Sequence, residues 1–267
     1  MKPKLAALAI FGLISFSSFA QFRKYSNEFL NIGAGARGLA MGGAQVASVQ
    51  DGTAGYWNPA GLTGVKDHAQ ANLMHAEYFA GIGKYDYLSL ALPTSNNKRT
   101  IGISALRFAV DDIMNTLFLV EPDGSVNYNN IQAFSSADYA FVFSLAQKLK
   151  ESSNKNIDFG INAKVIHRNV GSFAKAWGFG LDAGLQIRAN KWRFGIAGRD
   201  ITTTFNSWSF SFTEKEKEAL YLTNNDIPVK STEMTAPRLV LGVGRDFIFN
   251  DKLSLLAEAN FDFESID

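Results

Sequence analysis

Cysteine is absent from the chain, which removes disulfides, thiolate metal sites and a cysteine nucleophile. Histidine is scarce: His68, His75 and His167 stand apart with no metal-ligand spacing, so no metal centre is expected. An excess of one charge is also missing. The 26 Lys and Arg against 25 Asp and Glu leave a net +1 and no basic footprint for nucleic acid. No Ser/His/Asp or paired-carboxylate constellation can be assembled, and Asp111-Asp112 reads as a loop pair facing water, so the chain is expected to be non-enzymatic and to need no cofactor. Long apolar runs are the last absence. After residue 20 none reaches the roughly 18 residues that mark a membrane-spanning helix.

What is present begins with MKPKLAALAIFGLISFSSFAQ: two lysines, an apolar stretch from Leu5 to about Phe16, and Ser18-x-Ala20 before Gln21. That order is a secretory signal peptide over 1–20, too short in its apolar part to serve as a spanning anchor. The exported chain is then expected to begin at Gln21.

From about residue 71 the dominant pattern has period two. In AWGFGLDAGLQIRAN one face carries Trp177, Phe179, Leu181, Ala183, Leu185, Ile187 and Ala189, and the other Gly178, Gly180, Asp182, Gly184, Gln186, Arg188 and Asn190. IDFGINAKV and KLSLLAEANFDF alternate in the same way. These segments run about ten residues, whereas strands of water-soluble proteins average about five or six and a tilted membrane-crossing strand needs about 9 to 11. The polar faces are small and mixed and the apolar faces end in aromatics, the inversion expected of an outer-membrane barrel: greasy outside, polar inside. The fold class is therefore read as all-β, a transmembrane antiparallel β-barrel, in preference to a secreted sandwich.

Nine strands are expected over residues 67–267, near 71–79, 84–93, 99–109, 138–149, 157–168, 176–189, 191–200, 237–248 and 251–263. Long connections fall only after the third (110–137) and the seventh (201–236), both on one side, which is taken as the outer side. Nine is odd where single-chain bacterial barrels are even, so the chain is expected to lack the last strands. In the second long loop Thr213-x-x-Glu216 is a capping box opening a helix of about eight residues. The aromatics Phe205, Trp208, Phe210 and Phe212 of that loop are candidates for a contact surface or lid.

Residues 21–66 are rich in glycine, and Gly33-x-Gly35-x-x-Gly38 matches the spacing of a dinucleotide-binding fingerprint. That fingerprint needs an apolar strand before it and an acid about 20 residues on in a βαβ unit. Ser26, Asn27, Glu28 and Asn31 interrupt the strand, so the segment is read instead as a plug packed inside the barrel. Arg37 and Asp51 are expected to pair with wall residues such as Asp182, Arg188 or Glu258, and Tyr56 and Trp57 to close the lumen or line an apolar passage.

FLNIGAGARGLAMGGAQVA followed by DGTAGYWNPAGL and NLMHAEYFAGIGKYDYLSLALP resembles the PorV/PorQ group of Bacteroidota outer-membrane proteins, relatives of the FadL long-chain fatty-acid transporters. The resemblance spans essentially the whole exported chain. It implies a 14-stranded FadL-like barrel in a Gram-negative outer membrane, with an N-terminal luminal plug. The family's motifs map onto Gly35, Ala36, Arg37, Met41, Gly42 and Gly43, and onto Asn58, Pro59 and Ala60 beside Trp57. Where translocon-partner members usually carry a lysine after the Asn-Pro-Ala, this chain has Gly61. The resemblance implies a component or adaptor of type IX protein secretion, with membrane lipid and secretion proteins or cargo as partners. The alternative is a channel for hydrophobic small molecules or fatty acids.

Overall fold

The structure, a computed structural model, describes residues 26–121, 123–229 and 231–264; the expected signal peptide lies outside them. Among the described residues no helix is long and apolar enough to cross a membrane. The chain is all-β. Among the described residues eleven strands form one antiparallel sheet: β1 (Gln70–Tyr78), β2 (Gly83–Pro93), β3 (Arg99–Asn115), β4 (Gln132–Glu151), β5 (Lys155–Val170), β6 (Ala174–Ala189), β7 (Trp192–Arg199), β8 (Thr204–Phe210), β9 (Ser231–Thr235), β10 (Arg238–Asn250) and β11 (Leu253–Glu264).

The main path runs β1 through β7 and then β10 and β11, while β8 pairs with β6 and β9. The expected count of nine and the observed eleven differ because two strands are each broken at the same height. Residues 200–203 separate β7 from β8, with Asp200 and Thr203 in the left-handed conformation, and Ala236-Pro237 separates β9 from β10. Arg199 pairs with Arg238 below the break and Thr204 with Thr235 above it. Four residues on one strand against two on the other make a wide irregularity, and Pro237 has no N–H to give a ladder there.

The expected loop boundaries therefore need correction. The segment 201–236 is a loop only from 211 to 230, holding the helix Glu214–Leu222 behind the Thr213/Glu216 capping box. The segment 110–137 is a loop only from 116 to 131. β3 continues past a bulge between Val110 and Ile113, where Asp112 takes a positive φ. Among the described residues no ladder joins β1 to β11, and the sheet they form is not closed.

Every ladder keeps the period-two faces in register. One lateral row runs Leu73, Leu88, Ala105, Phe141, Val165, Phe179 and Phe205. In it Leu73 is 83% exposed and Leu88, Phe141, Phe179 and Phe205 are between 42% and 50% exposed. The next row, Tyr87, Leu106, Ala140 and Ile166, is buried. Over the middle of β5 and β6 the faces are inverted: Asp158, Asn162, Lys164, Asp182 and Gln186 are buried while Phe159, Ile161, Trp177 and Phe179 face out.

Residues 26–66 contain no strand and fill the concave side as turns and short helices (Glu28–Asn31, Ala36–Ala40, Ala54–Trp57, Pro59–Gly64). They reach both sheet edges: Gly35 N donates to Met74 Sδ on β1, and Asn260 Nδ2 on β11 donates to Gly43 O. The wall is thin where they press on it. Inward-facing Gly160, Gly184, Gly195 and Gly242 meet Pro59, Asn58, Val46 and Ala47 at distances that leave no room for a Cβ.

Candidate functional site

The glycine cluster is organised around one side chain. Trp57 is 7% exposed, and its Nε1 donates to Ala34 O at 2.8 Å. A Cβ on Gly38 would stand 2.5 Å from Trp57 Cζ2, and one on Gly33 or Gly43 would touch the same ring at 3.5 Å. Gly33, Gly35, Gly42 and Gly43 also take positive φ, which a Cβ penalises. The chain thus coils closely over an indole, and the 33/35/38 spacing serves that packing.

Asn58 is fully buried and ties this segment to the wall. Its Nδ2 donates to Val46 O at 2.8 Å and reaches Leu185 O and Ile196 O, at 3.2 and 3.3 Å, on β6 and β7. Its Oδ1 accepts from Ala60 N, capping the turn that Pro59 opens. Pro59 and Ala60 lie flat on Gly160. Of the remaining motif residues, Met41 Sδ accepts from Gln45 Nε2, and Gly35 and Ala36 begin the short helix Ala36–Ala40.

The expected pairings of Arg37 and Asp51 with the wall are not what the structure holds. Arg37 is exposed and donates to Gln45 Oε1 and Ser48 Oγ within its own segment; Asp51 accepts from Thr53 N and Oγ1. Glu258 does hold the segment, but through Ala47 N at 2.8 Å. Asp182 and Arg188 find partners on the wall itself. Lys164, 5% exposed, lies 2.8 Å from Asp182 and 2.6 Å from Asp200, and Arg188 pairs with Asp158 at 2.6 Å. Asn162 links the first network to the plug, donating to Asp182 Oδ2 and to Gly55 O. Asp200 stands at the strand break and also accepts from Thr204, so this network joins plug, wall and break.

A clasp that sequence reasoning missed holds the segment's start. Asn206, fully buried on β8, donates to Ser26 Oγ at 2.6 Å and Asn27 Oδ1 at 2.8 Å, while Asn27 Nδ2 donates to Thr235 Oγ1 on β9. The sequence signal was an asparagine on the inward phase of an alternating stretch, TFNSWSF.

Phe205, Trp208, Phe210 and Phe212 do not share one surface. Phe205 faces outward, Trp208 is 8% exposed against Ala174 and Ala176 with the Arg168 guanidinium 5.1 Å above its ring, and Phe210 and Phe212 stack beside Phe173.

Beside the plug, toward β10 and β11, lies a cavity of about 640 Å³. Leu39, Trp57, Val46 and Val240 give it apolar walls, and Arg199 and Arg238 face it. Arg238 is bound to Asp262 and to Asn31 Oδ1. Arg199 has no carboxylate partner among the described residues; its guanidinium lies 5.4 Å over Tyr56 and 6.0 Å over Trp57. Tyr56 donates to Leu30 O at 2.6 Å and accepts from Gly33 N at 2.8 Å, and burial pushes its hydroxyl above the ordinary tyrosine value.

Among the described residues no cluster of His, Asp and Glu has the makings of a metal site. The polar groups brought together here fasten a segment against the sheet, and beside it Arg199, which reaches Tyr56 O at 3.4 Å, faces the cavity. No protein-family model matches the chain, and no curated protein matches it.

Proposed function

We propose that the chain is an outer-membrane β-barrel of the PorV/PorQ type, closed around its plug, and that it acts as a non-enzymatic component or adaptor of type IX protein secretion. The observation that carries the membrane reading is the inversion of the faces, apolar out and polar in, across successive ladders. Its height suits a bilayer. Outward apolar residues continue on β6 from 177 to 189, twelve steps of about 3.3 Å, or about 40 Å along the strand and about 28 Å once tilted by roughly 45°. The apolar band of such barrels is about 25 Å tall.

A spanning sheet has to close, because unpaired edge groups in hydrocarbon cost several kcal/mol each. The edges of β1 and β11 must therefore be paired in the membrane. The adaptor role draws on the resemblance and on the fastening of the plug through Asn58, Asn162, Glu258 and Asn206, which leaves little through-passage.

A second reading, a channel for amphipathic small molecules with a hydrophobic part, is favoured by the cavity of mixed lining, where Leu39, Val46 and Val240 stand opposite Arg199, which has no carboxylate partner among the described residues. One experiment separates the two. The full chain is purified from detergent-solubilised outer membranes, and co-purifying proteins and extracted lipids are identified. Secretion-system proteins support the adaptor; a bound fatty acid without a protein partner supports the channel. Recovery in the soluble fraction refutes both.

A further inference from the structure

The rim formed by the short turns has a charge pattern that the plug and the cavity do not explain. Lys98 stands in the β2–β3 turn, Lys150 and Lys155 flank the β4–β5 turn, Lys191 is in the β6–β7 turn and Lys252 in the β10–β11 turn. All five are exposed, and none has a carboxylate partner among the described residues; the rim's Glu151 is taken by Lys148 and Lys66. The opposite rim is mixed in charge: residues 116–131 hold Glu121 and Asp123 and no lysine or arginine, and residues 211–229 hold Lys215 and Lys217 among Glu214, Glu216, Glu218 and Asp226.

One further cation sits on the outer wall just inside this rim. Arg245 occupies the outward phase of β10, opposite Trp192 on β7 and Ala257 on β11. It is exposed, and its guanidinium lies 4.9 Å over the Trp192 ring and 5.1 Å over the Phe247 ring. The neighbouring acid, Asp246, points inward and is held by Arg193 at 2.8 and 3.0 Å. On β10 the outward residues on the side away from the turn are Leu239, Leu241 and Val243, and exposed Phe247 and Phe249 follow Arg245 toward the turn, so Arg245 is a single outward cation set among apolar residues near the end of the strand.

We infer that this rim is a binding site for anionic phospholipid headgroups, with Arg245, placed over the Trp192 and Phe247 rings, as the phosphate contact and the turn lysines as the surrounding field. The inference rests on the membrane reading above. The chemistry fits a lipid better than an acidic protein. The free guanidinium lies on the lipid-facing side of the wall, next to an indole at the height where tryptophan prefers the interface. A guanidinium offers paired N–H donors to phosphate oxygens, and its flat face remains stacked while its edge binds. The lysines lie beyond it at the ends of the strands, where headgroup charge is concentrated.

The test uses the full chain inserted into phosphatidylcholine vesicles with and without phosphatidylglycerol, the lipid retained after detergent extraction being counted by native mass spectrometry. The wild type is expected to retain phosphatidylglycerol over phosphatidylcholine. Arg245→Gln combined with Lys191→Gln and Lys252→Gln should lower that preference at least about tenfold, each basic residue near an anionic surface being worth roughly fivefold. Arg245→Gln alone should lower it severalfold, and Lys175→Gln, near the other rim, should leave it unchanged. An equal preference in wild type and triple variant overturns the inference while leaving the membrane reading standing. So does rim-dependent binding of soluble poly-glutamate without any phosphatidylglycerol preference, which points to an acidic protein instead. Failure to insert into either vesicle refutes the membrane reading, and the inference with it.

Discussion

Replacing Gly38 by alanine tests directly why glycines crowd the stretch 33–43. Gly38 is buried in the short helix Ala36–Ala40 and has no positive φ, so alanine is acceptable to its backbone and helix propensity favours it by about 1 kcal/mol. The obstacle is Trp57. An added Cβ would sit 2.5 Å from Cζ2, 2.7 Å from Cε2 and 2.8 Å from Nε1 of an indole that Ala34 O fixes in place. Overpacking of this kind costs typically about 1–3 kcal/mol, and a rigid two-ring side chain bonded at its nitrogen has little freedom to yield. Trp57→Leu should itself cost about 3 kcal/mol through lost burial and a lost hydrogen bond. In that background, however, Gly38→Ala should become nearly neutral, giving a coupling energy of at least about 1 kcal/mol. The assay is urea or thermal unfolding of the full chain folded in detergent, followed by protease resistance of residues 26–66. Equal costs of Gly38→Ala with and without Trp57 would refute the idea that the indole sets the glycine spacing.

Further outcomes follow from the same contacts. Asn58→Leu removes donors to Val46 O, Leu185 O and Ile196 O in a fully buried site and should cost about 2–4 kcal/mol in unfolding; a change under about 0.5 kcal/mol would contradict its role in fastening the plug. Lys164→Met leaves Asp182 and Asp200 buried without their cation, for an expected loss of about 3–5 kcal/mol that Asp182→Asn in the same chain should partly restore. On the outer face, Leu181→Arg should cost about 2–4 kcal/mol in a bilayer and disturb a water-exposed sheet little, so the difference between bilayer and detergent unfolding is the readout. Tyr56, with its hydroxyl raised above the ordinary value by burial, should remain un-ionised and bonded to Leu30 O as pH passes 10. Its contribution is complete below the unfolded value near 10 and is lost only as pH rises through the higher folded value. Tyrosinate absorbance compared with Tyr56→Phe checks this, and ionisation near 10 with the plug intact would contradict it.

Much of the wall could be read directly, because alternation at period two is a local property. Residues 177–189 and 157–165 face as their polarity dictates, with the unusual feature that the polar phase is the buried one. The breaks were not legible for the same reason. Asp200 and Thr203 turn the chain without glycine, and TFNSWSF, though alternating, mixes Thr and Asn with Trp on its inward phase and Ser with Phe on its outward phase, so it resembled a loop. Asp111-Asp112 likewise disguised a bulge as the end of β3. The close packing of residues 26–66 was foreshadowed by their glycines and Asn-Pro-Ala, but their charge partners were not. Arg37 stays within its own segment, whereas the buried Lys164 finds its acids on β6 and at the break, a pairing that depends on ladder register. Arg199 and the cavity it faces arise only where plug, β7, β10 and β11 meet.

The central claim is that the apolar face of this sheet meets lipid while its polar face encloses the plug. A nitroxide scan of single-cysteine variants over 177–189, made simple by the absence of native cysteine, tests it most directly. In the full chain within a bilayer, the account predicts high oxygen collision rates and low water-soluble nickel collision rates at 177, 179, 181, 183, 185 and 187, with both rates low at the intervening positions. High nickel accessibility at the odd positions, the signature of a sheet facing water, would contradict it.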